Sequence, residues 1–281
     1  MNRIKINKVS VPIPESWEEL TVRQMSDALH YASEQPERWK DVLFRLCVYT
    51  GFAIPYEELS NSIISDEVLN FIVHSLRFEK EPLNVGKYVQ DVPNFLEFEH
   101  PVSSGNTVKI RIPKKLDEER IGSKMMFVQE VIPKVNELGT IVPVLPLAIA
   151  IYLQPYVEER DFDTTRVQQF AVTHCENLPF VKALSVGTFF FENVGRLEER
   201  EREIAQSIAS DDLDEWEAGI ENFKKFGPMN LIYSMTEGDV TKVDRVMNSP
   251  WSDVMLFRLM KNEVSEFNKR LYEIKSRRNE R

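Results

Sequence analysis

The sequence predicts a mainly α (α+β) protein, with a helical, bundle-like body and a small antiparallel β-sheet or hairpin. Over most of the chain, apolar residues recur every three or four positions, which is typical of helices that bury one face. Over residues 3–11 and 95–112 the apolar residues alternate with polar ones instead, which is typical of half-buried strands. We expect an N-terminal helical region with the small sheet over residues 1–140, and a helical region over residues 141–281.

The first predicted element is a strand over residues 3–11. Alternation places Ile4 and Ile6 on one face of this strand. Pro12 and Pro14 follow, and we expect them to end it because proline cannot donate a ladder hydrogen bond.

Two more strands are predicted near residues 95–99 and 107–112. The turn-forming segment 103–106 (SSGN) lies between them, which is a hairpin pattern. Two strands alone are marginally stable in water. We therefore expect strand 3–11 to join them in a three-stranded antiparallel sheet.

Three helices are predicted between these strands. Thr21 caps the first, which runs to about Ser33; the second follows Pro36 and stops at Gly51; Ser65 caps the third. The residues expected to face inward are Met25, Leu29 and Ala32 in the first helix, Trp39, Val42, Leu43, Leu46 and Cys47 in the second, and Val68, Leu69, Ile72, Val73 and Leu76 in the third.

The middle of the chain is also predicted to be helical. Residues 124–138 form an apolar helix in which Pro133 causes a kink or moves a boundary. Asp163 caps a helix that runs to about Glu176, and an apolar helix covers residues 181–194.

Two later stretches carry many charges. Residues 197–209 are rich in charged side chains, and we expect them to link larger units. Ser210 then caps a helix with acidic residues in its first turn, and Gly227-Pro228 ends it. Its predicted buried stripe consists of Leu213, Trp216, Ile220 and Phe223.

The most regular pattern predicts a long C-terminal helix over about residues 250–276. Ser249 is the expected cap, and Pro250 occupies the first helical position, where its missing N–H costs nothing. Six apolar residues then recur at spacings of three and four, which form a heptad seam of about two and a half repeats. These six residues are the predicted partner-binding site: Phe257, Met260, Val264, Phe267, Leu271 and Ile274.

The heptad seam has three possible uses. It could dimerise, bind a helix of a partner, or pack on its own domain, which is the usual use of so short a seam. Phenylalanine at two core positions suits a groove better than an ideal two-stranded coiled coil. The length and terminal position of the helix still make it the best candidate for partner binding, with a homo-oligomer as one possibility.

Charge argues against a nucleic-acid-binding protein. The chain has 35 basic and 45 acidic residues, a net charge of -10, whereas phosphate binding needs cations. The C-terminal tail is basic, which complements a helix dipole but would also suit an acidic partner. Its basic residues are Lys269, Arg270, Lys275, Arg277, Arg278 and Arg281.

No secretory signal or membrane helix is predicted. The first 13 residues contain no continuous apolar stretch, and the most apolar run, residues 141–153, is short and contains two prolines. We expect that run to be buried. Two cysteines in apolar surroundings fit a reducing cytoplasm.

Catalytic and metal-binding patterns are weak. Asp161 and Asp163 could hold a cation, but Asp163 is better explained as a helix cap. His174 and Cys175 are adjacent, with no second ligand pair at zinc spacing. The common nucleotide-binding and hydrolase motifs do not occur. We therefore predict no catalytic residue, no metal site and no cofactor, and a protein that is not an enzyme.

Four stretches resemble one group of proteins. The run from Ile13 to Thr21 resembles the opening of phage proteins from Bacteroidetes-type hosts. The runs 231–244 and 249–251 resemble a segment of tail-assembly proteins encoded near the tape-measure gene, and 145–155 is also similar to that group. Those are small helical proteins that bind an aggregation-prone tail component during morphogenesis.

The resemblance implies a phage tail-assembly chaperone in the host cytoplasm, with tail or other virion proteins as partners. A structural virion protein at the head–tail connector or baseplate is the first alternative. An enzyme on an unrecognised scaffold and a regulatory DNA-binding protein are further alternatives.

Overall fold

The fold is mainly helical with a minor antiparallel β component, as the sequence predicts, and the strands of the described residues form two separate sheets. The computed structural model describes residues 2–6, 9–80, 92–99, 107–207, 225–226 and 229–279. The predicted turn at 103–106, the helix expected after Ser210 and its end at Gly227-Pro228 lie outside the described residues.

The chain forms two compact units, each assembled from separate stretches of sequence. Unit 1 consists of residues 1–112, 131–159 and 163–190, and unit 2 of residues 113–130, 160–162 and 191–281. The predicted division at residue 140 does not coincide with these units, because residues 131–159 belong to unit 1.

The first sheet of unit 1 corrects the prediction of one strand over residues 3–11. β1 (Asn2–Ile6) and β2 (Val9–Ile13) pair antiparallel with each other, and Ile4 lies opposite Val11. Pro12 therefore lies inside a strand of a two-stranded ribbon rather than after its end. The residues that the pair buries are Ile4, Ile6, Val11 and Ile13.

The second sheet of unit 1 consists of β3 (Phe95–Glu99) and β4 (Thr107–Arg111), with Leu96 opposite Ile110. The expected three-stranded sheet is wrong, because β1 and β2 pair only with each other in the described residues. A helix covers the apolar face instead: the ring centroid of Phe98 lies 5.5 Å from that of Phe170.

Five helices follow β2 in unit 1. Thr21 and Gln24 form a capping box at the start of the first, which confirms Thr21 as its cap. The predicted second helix is interrupted, because the Asp41 carboxylate accepts from the N–H of Leu43 and starts a new helix there. The helices are α1 (Val22–Glu34), α2 (Pro36–Trp39), α3 (Val42–Tyr49), α4 (Tyr56–Asn61) and α5 (Asp66–Ser75).

The buried faces of α1 and α5 differ from the predicted ones. α1 buries Ala28 and leaves Leu29 exposed, and α5 buries Ile72 but exposes Leu69 and Val73. A surface helix buries a stripe whose width depends on its neighbours, so its apolar residues do not all face inward.

Eight helices are described further along the chain: α6 (Ile121–Met126), α7 (Ile132–Leu138), α8 (Leu145–Val157), α9 (Thr164–Phe170), α10 (Phe180–Ser207), α11 (Met229–Thr236), α12 (Val243–Met247) and α13 (Trp251–Asn279). A π-helical turn over 127–131 precedes Pro133, which stands in the first turn of α7, where proline is tolerated. α10 continues through the predicted linker 197–209 as far as Ser207.

The core of unit 1 is built around α8. The predicted apolar run 141–153 supplies most of this helix and is largely buried as predicted, and Ile149, Ile151 and Leu153 are inaccessible to solvent. The ring of Tyr152 packs 4.8 Å from that of Phe190, in the part of α10 that belongs to unit 1. No helix of the described residues is both long and apolar enough to cross a membrane.

Candidate functional site

The start of α13 is anchored in unit 2. Trp251, Val254 and Met255 are buried, with Trp251 only 1% exposed. The N–H of Trp251 donates to the carbonyl of Glu119 at 2.8 Å, and the N–H of Ile121 donates to the carbonyl of Ser249 at 2.9 Å. This reciprocal pair of backbone hydrogen bonds joins the first turn of α13 to the start of α6.

Ser249 is not the cap that the sequence predicts. Its hydroxyl donates to the carbonyl of Arg245 at 2.8 Å, so it serves the end of α12. The helix starts at Trp251, one residue later than predicted, and the carbonyl of Glu119 accepts from its first N–H, which has no partner within the helix.

A buried cation lies close to this anchor. The Lys124 ammonium group on α6 forms ion pairs with Glu198 and with Glu201, the latter at 2.5 Å. The Trp251 ring NH lies 3.5 Å from the same Glu201 carboxylate, and the Arg200 guanidinium lies 5.2 Å from the centre of the ring. Charged groups from two helices therefore surround the first residue of α13.

Beyond its first turn, α13 exposes the predicted seam. Five of the six seam side chains are between 50% and 59% exposed, and the sixth, Leu271, is half-buried. The exposed five are Phe257, Met260, Val264, Phe267 and Ile274. The structure thus places the predicted partner-binding residues on one helix face, and none of them is in the core of its own domain.

A second apolar surface lies on α11 and the segment after it. Phe226, Met229, Tyr233 and Val240 are exposed there and line a cavity of about 380 Å³. Sequence reasoning missed this surface, since none of these four residues is among the predicted partner-binding residues. The available signal was the run 231–244, which carries part of the resemblance and forms much of this lining.

The two surfaces are close together in unit 2. Lys261, beside the seam on α13, donates from its ammonium group to the carbonyl of Ser234 on α11 at 2.9 Å. The cation thereby helps to hold α11 beside the middle of the terminal helix.

The Asp161–Asp163 segment has a structural role. The Asp163 carboxylate accepts from the N–H groups of Thr165 and Arg166 at 2.9 and 3.1 Å, which confirms it as the cap of α9. Between the two aspartates, Phe162 donates its N–H to the Asn248 side chain at 2.8 Å. Among the described residues, no group of three or more His, Cys, Asp or Glu side chains is placed to hold a metal ion.

His174 and Cys175 lie in a π-helical turn over residues 171–175. Cys175 is inaccessible to solvent, and burial raises the pKa of its thiol well above the ordinary value. The His174 ring packs against Phe170 at 4.8 Å between centroids. A buried thiol that stays protonated is a poor nucleophile, so the geometry gives no support to a Cys/His catalytic pair.

A polar cavity of about 380 Å³ lies beside Lys124, and two carboxylates line it. Its carboxylates, Glu198 and Glu201, are both occupied in ion pairs with Lys124. This arrangement satisfies a buried lysine, and it leaves the exposed seam of α13 as the better functional candidate.

Comparison with protein-family models, curated proteins and solved structures finds no match to this chain. We therefore base the proposed function on the surface just described, together with the resemblance of the short sequence stretches.

Proposed function

We propose that this protein is a non-enzymatic chaperone of phage tail assembly, which captures an apolar helical segment of a tail component on the seam of α13. The observation that carries this proposal is the exposure of five of the six seam side chains, from Phe257 at one end to Ile274 at the other. Contiguous exposed apolar surface is typical of protein interaction sites. The tail-assembly setting, in the host cytoplasm, comes from the sequence resemblance.

Capture follows the helix-in-groove mode. A partner helix with apolar residues at spacings of three and four would pack its stripe along the seam from Phe257 to Ile274. The apolar surface of α11 lies alongside, because Lys261 ties α11 to α13, and it extends the area available to the partner.

The charges beside the seam select the partner. Arg270, Lys275 and Arg277 flank the second half of the seam and are all exposed. An apolar helix with acidic residues beside its stripe would complement them. The net charge of -10 over the whole chain would keep a complex with an aggregation-prone partner in solution.

The test replaces Phe257, Val264, Phe267 and Leu271 with glutamate and measures co-purification with tail proteins from phage-producing cells. We expect the wild-type chain to be abundant in lysate, absent from purified particles and bound to a tail protein. The four charges should abolish this binding, because a desolvated carboxylate is costly in an apolar interface.

A matched control places four glutamates on other faces of the same helix, at Ser265, Lys269, Tyr272 and Ser276. This control should bind the tail protein as the wild type does. Equal binding by the seam variant would contradict capture on α13. A fixed copy number in purified particles would instead identify a structural virion protein at the connector or baseplate.

A further inference from the structure

The seam of α13 is open from one end to the other. Phe257 at its start is 55% exposed and Ile274 at its end is 50% exposed, close to the 59% of Val264 in the middle. No described element therefore covers either end, and one helix of equal length would contact all six side chains.

We propose that, before a tail component is captured, the helix that packs on this seam is α13 of a second copy of the chain. The two seams pair antiparallel as a two-stranded coiled coil. The inference rests on the proposed function, since it concerns the same surface and describes what covers that surface while no tail component is bound. The register that uses all six residues places Val264 opposite Phe267 of the second copy, Met260 opposite Leu271, and Phe257 opposite Ile274.

Side-chain size favours the antiparallel direction. In this register each phenylalanine faces a smaller β-branched residue, so the layers from Phe257–Ile274 to Val264–Phe267 are similar in volume. A parallel pair in register would stack Phe257 on its own copy and Val264 on its own copy. In that arrangement layers of two large side chains alternate with layers of two small ones. Such an interface packs poorly, because closely packed protein interiors tolerate neither steric overlap nor voids.

The flanking charges favour the same direction. Glu263 and Arg270 both occupy the position that precedes the first seam residue of a heptad. In an antiparallel pair these positions face each other, so Glu263 of each copy meets Arg270 of the other, twice by symmetry. In a parallel pair Arg270 meets Lys275 of the other copy, which is repulsive.

The anchored ends also fit an antiparallel pair. The residues that bury the start of α13, Trp251, Val254 and Met255, all precede the seam. An antiparallel pair separates the two anchors by more than the length of the seam, which is about 27 Å, whereas a parallel pair brings both anchored ends to the same end of the dimer.

The expected dimer is weak enough to exchange its second copy for a partner. If each seam side chain loses on the order of 100 Å² of exposed surface, the two helices together bury about 1,200 Å², the lower limit of specific interfaces. We therefore expect dissociation in the micromolar range, so that a tail component with a better matched helix displaces the second copy.

Orientation is tested on the full-length chain with spin labels attached at Ser276→Cys. An antiparallel dimer places the two labelled backbone positions about 30 Å apart, and a parallel dimer about 10–15 Å. Ser265→Cys is the matched control, since it lies near the two-fold axis and is close to its copy in both arrangements. The unsubstituted chain measures background labelling of Cys47 and Cys175, which are buried.

Charge exchange provides a second test, with the dimer dissociation constant measured by sedimentation. Arg270→Glu should weaken the antiparallel dimer three- to tenfold, about the loss expected for two exposed ion pairs. Adding Glu263→Arg to that variant should restore the wild-type dissociation constant.

A lower dimer dissociation constant for Arg270→Glu alone, or a distance of about 10–15 Å between the two labels at position 276, would overturn the antiparallel pairing. A chain that stays monomeric throughout the micromolar range would overturn self-pairing altogether. Partner capture is measured separately with the tail protein, so its persistence in a monomeric chain would leave the proposed function standing.

Discussion

At the residue scale, Lys124 shows how residues distant in sequence determine the burial and the ion pairs of one side chain. The sequence places it at the start of an apolar helix and predicts nothing else about it. In the structure it is 4% exposed and pairs with Glu198 and Glu201, more than seventy residues later. Those glutamates belong to the stretch that we predicted to be a linker, and α10 continues through it.

We predict that Lys124→Met lowers the free energy of unfolding by about 2–3 kcal/mol, because two partly buried carboxylates lose their cation. The side chains of Glu198 and Glu201 are 32% and 22% exposed, which keeps the cost below that of a fully buried pair. Urea unfolding followed by circular dichroism measures the change.

Lys115→Met is the matched control, because Lys115 pairs with Glu118 at 2.6 Å on the surface. Exposed pairs contribute little to stability, so this variant should unfold like the wild type. If both variants lost the same stability, burial would not be the reason for the effect at Lys124.

At the scale of single elements, local sequence signals determine where helices begin, whereas packing determines which strands pair. The caps at Thr21, Ser65 and Asp163 follow from a side chain and the N–H groups two or three residues later, and the structure confirms all three. Strand pairing depends on which segments meet: the predicted pairing of strands 95–99 and 107–112 is confirmed, whereas the expected addition of strand 3–11 to them is wrong. A short strand has no local preference for one partner over another.

Two glycines of α10 provide a test of packing within one helix. We predict that Gly187→Ala is destabilising by about 1–2 kcal/mol, because the new Cβ would overlap the Cδ2 of Leu145, which is fully buried. The helix propensity of alanine offsets only part of this cost. Thermal or urea unfolding of the variant measures the loss.

Gly195→Ala is the opposite case in the same helix. A Cβ at that position meets nothing within 4 Å. We expect a gain of up to about 1 kcal/mol from the lower conformational entropy of the unfolded chain. A stabilised Gly187→Ala variant would show that Leu145 moves freely, against the close packing described here.

At the scale of the whole molecule, stability should fall at alkaline pH. Cys47 and Cys175 both lie in unit 1 and are buried, and burial raises the pKa of Cys47 to about 11. The folded chain therefore keeps this thiol protonated in a range where the unfolded chain has lost the proton. Its contribution to stability is present below about pH 9 and disappears as the pH rises towards 11.

We predict that Cys47→Ala reduces this alkaline loss by about 2 kcal/mol, measured as the difference in unfolding free energy between about pH 8 and about pH 10.5. Alanine has no proton to lose, so the comparison cancels other titrating groups. An identical pH dependence in both proteins would contradict a raised thiol pKa.

The sequence by itself determined the helical class, most helix starts, the stop at Gly51 and the heptad of α13. These features depend on contacts within about one turn, such as a cap, a left-handed glycine or a spacing of three and four residues. A single sequence contains all of that information.

Only the tertiary structure decided which apolar faces are buried. Leu29, Leu69 and the seam of α13 follow the same helical spacing as core residues, yet they are exposed. Burial depends on elements far away in sequence, such as the residues around Glu119 and Ile121 that hold Trp251. The spacing therefore predicted the apolar seam, and the structure showed that no described part of the chain covers it.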